Sequence, residues 1–168
     1  AAVQALSGLR CGVDQEDDIT LVTLPRGRRG SAAETVTFSV PSAEGNERMA
    51  MARVAEIAAT ALAGARLDAL KTAVSETVMN AIEHGNRGDA VLDVLITVRR
   101  TSEYVTVEVA DYGRGLRREA EEPDLDLKLA GLQTPRGWGL FLVRELVDRV
   151  EEFADGDRHV VRLAMRVD

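Results

Sequence analysis

The stretch AVSETVMNAIEHGN, residues 73–86, reads as the last turns of an amphipathic helix that runs into a glycine. Leu67, Leu70, Val74, Val78 and Ala81 recur at the three- and four-residue spacing of one helical face. Glu76, Asn80 and His84 recur every four residues on another. At 3.6 residues per turn, Glu76 and Asn80 lie within about 40° of each other and more than about 100° from the apolar stripe. A carboxylate, an amide and an imidazole in one row suit a face that simply meets water. They equally suit a platform that holds a metal nucleotide and activates a nucleophile. The helix alone leaves both readings open.

Working outward, ERMAMARVAEIAATALAG (47–64) is rich in good helix formers and is expected to be a helix closed by Gly64. Asp68 is placed to cap the next helix or to sit in its first turn. TVTFSV (35–40) alternates, with Val36, Phe38 and Val40 on one side, and reads as a half-buried strand stopped by Pro41. VLDVLITVRR (91–100) and YVTVEVA (104–110) read as strands joined by a short polar turn around Ser102. That turn is too short for a crossover, so the two must be antiparallel. LFLVRELVDRV (140–150) is an apolar helix, and RHVVRLAMRV (158–167) a final strand after the turn signal DGD. The expected architecture is an α/β two-layer sandwich, with a mixed, mostly antiparallel sheet and helices on one face.

Composition narrows the function. The 168 residues are 45% hydrophobic and 29% charged, the usage of an ordinary globular domain able to bury a core unaided. The one cysteine, Cys11, permits no internal disulfide, which points to a reducing, cytoplasmic setting. No run of about 18 apolar residues suggests a membrane span. The net charge of −7 argues against direct binding to a nucleic-acid backbone, so an anionic ligand must be met by local donors.

Two further segments supply such donors. VEVADYGRGL is a strand that delivers Asp111 at its end, followed by Gly113 and Gly115. The carboxylate can accept from an amino group, while the glycines allow positive φ and close approach of a ligand. TPRGWGLFLVREL sets Gly137 and Gly139 around Trp138 at the start of an apolar helix, with Arg136 beside them. A helix start of this kind aims free N–H groups and a positive dipole end at an anion. Between Gly115 and Arg136 run about twenty residues with little pattern, a length that suits a lid.

Each segment alone has an ordinary structural explanation, but their order is specific. A helix with Glu-x-x-x-Asn, a strand ending in Asp-x-Gly-x-Gly, a lid, and Gly-x-Gly opening a helix together resemble the Bergerat ATP-binding fold of gyrase and sensor histidine kinases. SETVMNAIEHG resembles that superfamily's N box, DYGRG its first glycine box and RGWGL its second, over about residues 35 to 167. LKTAVSETVMNAIEHGN and RGWGLFLVRELVD look like the bacterial anti-sigma-factor serine kinases, the switch proteins of sporulation and stress control. Sensor histidine kinases usually carry a lysine and an aromatic after the N-box asparagine, where this chain has Glu83, His84 and Gly85.

The resemblance implies roles. Asn80 would hold Mg²⁺ on the triphosphate of ATP. Glu76 would be the catalytic base that takes the acceptor serine's proton, and Asp111 would accept from the adenine amino group, with Gly113 against the base. Gly115, Arg136, Gly137, Trp138 and Gly139 would belong to the phosphate cradle and the lid; His84 receives no chemistry. The expected activity is a protein-serine kinase that phosphorylates an anti-sigma-factor antagonist of the STAS type. It would bind and silence a sigma factor, as a homodimer. The alternative is a binding protein gated by ATP that transfers no phosphate.

Residues 1–34 lie outside this pattern. GVDQEDDITLVTLPR, with an expected strand at 17–25, resembles the closing strand of the metal-dependent phosphatases that reverse such a kinase reaction, and Asp17 matches one of their metal ligands. RGRRGSAAE (26–34) reads as a linker. The expected organisation is the tail of an upstream phosphatase domain plus linker at 1–34, and the kinase domain at 35–168.

Overall fold

The computed structural model describes residues 33–113 and 138–167. The expected strand at 17–25, the lid, Gly115, Arg136, Gly137 and all of the linker but Ala33 and Glu34 lie outside the described residues; Glu34, read as the end of the linker, opens β1.

The described chain runs β1 (Glu34–Pro41), α1 (Asn46–Ala58), α2 (Gly64–Asn80), a π-helical turn (Ala81–Gly85), β2 (Asp93–Arg100), β3 (Tyr104–Asp111), α3 (Trp138–Leu146), β4 (Arg149–Asp155) and β5 (Arg158–Arg166). The five strands form one sheet in the order β1-β2-β3-β5-β4. Every described pairing is antiparallel, so the expected mixed sheet is antiparallel throughout these residues. The two-layer sandwich stands as expected. Strand alternation turns Val94, Ile96 and Val98 of β2, Val105, Val107 and Val109 of β3, and Leu163 and Met165 of β5 toward the helices, all essentially fully buried. Val54 of α1, Leu70, Val74 and Val78 of α2, and Val143 of α3 meet them from the other layer. Each such side chain contributes about 1.5–3 kcal/mol by leaving water.

Three expected boundaries move, each for a packing reason. The alanine-rich helix stops at Ala58 rather than at Gly64. The Ala58 carbonyl accepts from the N–H groups of both Ala61 and Leu62, and this tight turn drops Leu62 into the core at 4% exposure. Gly64 opens α2 instead, at φ +53°, a conformation that suits glycine. Asp68 consequently lies beyond the first turn of α2, where it pairs with Lys71 at 3.1 Å.

The apolar helix at 140–150 is also shorter than its pattern. It ends at Leu146, and Arg149–Asp155 becomes the edge strand β4, which the helical reading missed. Asp148 causes the break. Its backbone N–H bonds the Ala164 carbonyl (3.1 Å), and its Oδ2 accepts from the Arg166 N–H and from Arg66 Nη2, each at 2.6 Å. Arg66 also donates to the Arg166 carbonyl at 2.8 Å. One carboxylate thereby ties the start of α2 to the end of β5, and the backbone N–H bond from Arg166 holds its pKa below the usual carboxylate value. Gly156, at φ +61°, then turns β4 back into β5 through a two-residue loop.

Candidate functional site

The site forms where α2 loses its α-helical winding. From Ala81 to Gly85 the chain makes a π turn, with the Asn86 N–H bonded to the Ala81 carbonyl at 2.8 Å. Such turns insert an extra residue into a helix and recur at functional positions. Here it carries Gly85 beneath the end of β3. A Cβ at Gly85 would collide with the Asp111 carboxylate, and one at Gly113 would come within 2.8 Å of the Gly85 Cα. Gly85, Asp111 and Gly113 are therefore one close-packed knot. Gly113 does not use the positive φ that a glycine allows; close approach is what demands a glycine there.

Asp111 is 4% exposed. Its Oδ1 accepts the Gly113 N–H at 2.6 Å, and its Oδ2 faces His159 Nδ1 at 3.4 Å. His159 stands directly opposite Asp111 in the β3–β5 register, and its Nε2 lies 3.6 Å from Glu152 Oε2 on β4. The hydrogen bonds to Asp111 and Glu152 outweigh burial and push the His159 pKa up to about 9. The stability this histidine adds is full below its ordinary 6.5 and is lost as pH rises through about 9.

Asp111 and His159 line one open pocket together with Asn80 of α2, His84 of the π turn, Gly113 after β3 and Leu140 of α3. Asn80 makes no side-chain hydrogen bond among the described residues, so its carboxamide is available to a ligand. Glu76 sits one turn earlier on α2, half-buried, with its carboxylate pressed against the Cα of Gly139; any side chain at Gly139 would overlap it. Burial first, then the nearby Glu83, raises the Glu76 pKa. The row read from the sequence thus spans from the pocket, at Asn80, to the start of α3, at Glu76. Trp138 is the first residue of α3, and nothing is described of its side chain.

Two residues of the site had no role in the sequence reading. His159 gave no signal beyond being a lone histidine in an alternating strand. Asn86 closes the quoted stretch and is 3% exposed. Its Oδ1 accepts the Tyr112 N–H at 2.8 Å, and its Nδ2 donates to Ser42 Oγ at 2.8 Å and to the Asp93 carbonyl at 3.3 Å. One amide fastens the Asp111 loop to the ends of β1 and β2. Asn86→Ala is expected to cost about 1–3 kcal/mol, because it strands buried partners. Urea unfolding checks this: a fall in midpoint with unchanged slope supports the clamp, and no fall removes it.

The donor set fits Mg²⁺ bound mainly through a nucleotide. Among the described residues no group of three or more His, Cys, Asp or Glu could hold a metal by itself. Mg²⁺ commonly takes only one or two protein oxygens together with substrate phosphates and water. The Asn80 oxygen on the pocket wall is of that kind. Among the described residues no helix is long and apolar enough to cross a membrane.

Comparison with known proteins places this architecture. A solved structure, that of the RsbU and RsbW domains of Rv1364c from Mycobacterium tuberculosis, superposes with a TM-score of 0.57 at 19% identity, over 80% of this chain and 32% of that one. This chain therefore spans about a third of the length of that protein, and the likeness is one of fold. No curated protein sequence matches the chain. Residues 40–165, from the end of β1 through nearly all of β5, match the model of the histidine kinase-like ATPase domain, an ATP-binding domain, and the chain belongs to that family.

Proposed function

We propose that this ATPase domain is a protein-serine kinase that uses Mg-ATP to phosphorylate a STAS-type anti-sigma-factor antagonist. In the same proposal it binds and silences a sigma factor, works as a homodimer and resides in the cytoplasm. The observation that carries the reading is the contact of Glu76 with Gly139 beside a pocket walled by Asn80 and Asp111. A carboxylate is thereby held at the start of α3, where phosphates would be expected.

Asp111 accepts from the adenine amino group and Gly113 lies against the base. Asn80 would supply an oxygen to Mg²⁺, and the ion would neutralise charge on the phosphates. Gly139 lies at the phosphate end, and Gly115, Arg136, Gly137 and Trp138 are assigned there on motif grounds alone. In the transfer step the acceptor serine oxygen bonds to the γ-phosphorus and the bond from that phosphorus to ADP breaks. The serine proton passes to Glu76. Such a reaction asks for positioning, charge neutralisation and one base, which this set supplies. The raised pKa of Glu76 makes it a better proton acceptor than an ordinary exposed carboxylate.

The test is intact-mass measurement of a STAS-domain antagonist encoded beside this protein, incubated with it and Mg-ATP. A gain of one phosphate is expected, absent with Asn80→Ala. No gain despite tight ATP binding would leave the nucleotide-gated binder. No binding of ATP would overturn the assignment of the pocket.

A further inference from the structure

We propose that Arg158 is a positioning residue for the nucleotide pocket: it pins Tyr112 on the far face of the sheet, and through Tyr112 it sets where Asp111 and Gly113 stand. The inference rests on the assignment of Asp111 and Gly113 to the base in the proposed function, and extends it to a pair of side chains outside the pocket.

The described β3–β5 ladder stops at the pair Asp111 and His159, both of which line the pocket. Strand alternation sets Tyr112 and Arg158, one step farther on, toward the opposite face. There the Arg158 guanidinium lies 4.6 Å from the centre of the Tyr112 ring, and its Nη2 donates to the Tyr112 hydroxyl at 2.7 Å. The backbone of Tyr112 is fastened separately, by the Asn86 carboxamide that accepts its N–H at 2.8 Å. Tyr112 is thus held at its backbone from the pocket side and at its hydroxyl from β5.

Peptide units are rigid planes, so the two backbone dihedrals of Tyr112 decide where Gly113 sits relative to Asp111. Gly113 packs on Gly85 without room for a side chain, and a small shift at Tyr112 therefore reaches the pocket. Stability of the sheet gives a poor account of Arg158. Its Nη1 is buried and has no hydrogen-bond partner among the described residues. Buried donors are nearly always paired, and one that is not calls for another explanation. Arg162, two residues on and on the same face, supplies the contrast. It too lies 4.6 Å from an aromatic ring, that of Phe153, but it also donates to Glu108 at 2.8 Å and to Glu151 at 3.2 Å. Arg162 knits three strands together. Arg158 is committed to one side chain, that of the residue between Asp111 and Gly113.

The decisive experiment is calorimetric titration of the protein with ADP, comparing wild type, Arg158→Ala, Tyr112→Phe and Arg162→Ala, with urea unfolding of each. Arg158→Ala should weaken ADP binding about tenfold while the number of sites per chain stays unchanged. A merely destabilised protein would lose sites and keep its affinity. Tyr112→Phe removes only the hydroxyl and should weaken binding about threefold. The double variant should bind no more weakly than Arg158→Ala, because both changes act on one contact. Arg162→Ala strips a guanidinium from the same face; it should lower the urea midpoint at least as much, with ADP affinity within about twofold of wild type. Wild-type affinity in a folded Arg158→Ala protein would overturn the proposal. An equal loss of affinity in Arg162→Ala would overturn it too, since the whole sheet face and not Tyr112 would then set the pocket. If Arg158→Ala fails to fold, Tyr112→Phe carries the test, and wild-type affinity there has the same meaning. An Asp111→Ala protein that binds ADP like wild type would instead remove the underlying assignment of Asp111, a result distinct from these.

Discussion

Glu76→Gln should lower phosphate transfer by about 10²- to 10⁴-fold, the range of a lost general base, while ADP affinity stays within about twofold of wild type. The separation follows from position. Glu76 does not line the pocket that holds Asn80 and Asp111; it sits one helical turn away, against Gly139. Glutamine keeps the shape and the contact with the Gly139 backbone and removes the basic oxygen pair. It also removes a charge whose desolvation already raises the pKa, so folding should not suffer. Single-turnover transfer to the antagonist serine, with ADP titration beside it, reads both effects. Transfer that survives in the variant would take the base role from Glu76. Loss of ADP binding in parallel would mean the carboxylate holds the pocket's shape and does no chemistry. The acid side of the wild-type rate profile adds a signature: transfer should decline as pH falls through the raised pKa of Glu76, earlier than an ordinary glutamate would require.

How much of this was legible beforehand depends on the range of the interactions involved. The apolar stripe Leu70–Val74–Val78–Ala81 and the alternation in β2 and β3 are local periodicities, and the structure buries those residues as read. Asp111 at a strand end was equally local. The errors share one cause. Ala59 to Gly64 and Val147 to Val150 have the composition to continue a helix, but long-range ties decide otherwise. Leu62 is drawn into the core, and Asp148 is fastened to Arg166 and Arg66, far away in sequence. His159 was hidden for the same reason, since its meaning lies in the register that sets it opposite Asp111. Asn86 was visible as a letter but not as a clamp, because its partners Ser42, Asp93 and Tyr112 come from three separate segments of the chain. The π turn has no sequence signature that periodicity could detect.

That turn supports the second large effect. Gly85→Ala should reduce ADP affinity by at least about tenfold and destabilise the fold by about 1–3 kcal/mol, the usual cost of an overpacked core position. The added methyl would occupy the space of the Asp111 carboxyl carbon and Oδ1. Asp111 cannot simply swing aside. Gly113 N–H holds one of its oxygens, His159 faces the other, and the Gly113 backbone closes the third side. Relief must come from moving the end of β3 or unwinding the π turn, and both displace the carboxylate that the base would meet. Gly88→Ala is the matched control. Gly88 has φ +70° and open space where a Cβ would go, so alanine there brings backbone strain of about 1–2 kcal/mol without crowding the site. Equal losses of midpoint in urea, with ADP affinity lost only in Gly85→Ala, would show that the glycine is required by Asp111. If both variants bind ADP like wild type, the knot of Gly85, Asp111 and Gly113 does not shape the nucleotide site. If both lose binding together, the affinity loss reflects instability, and the carboxylate's placement is not what the glycine protects.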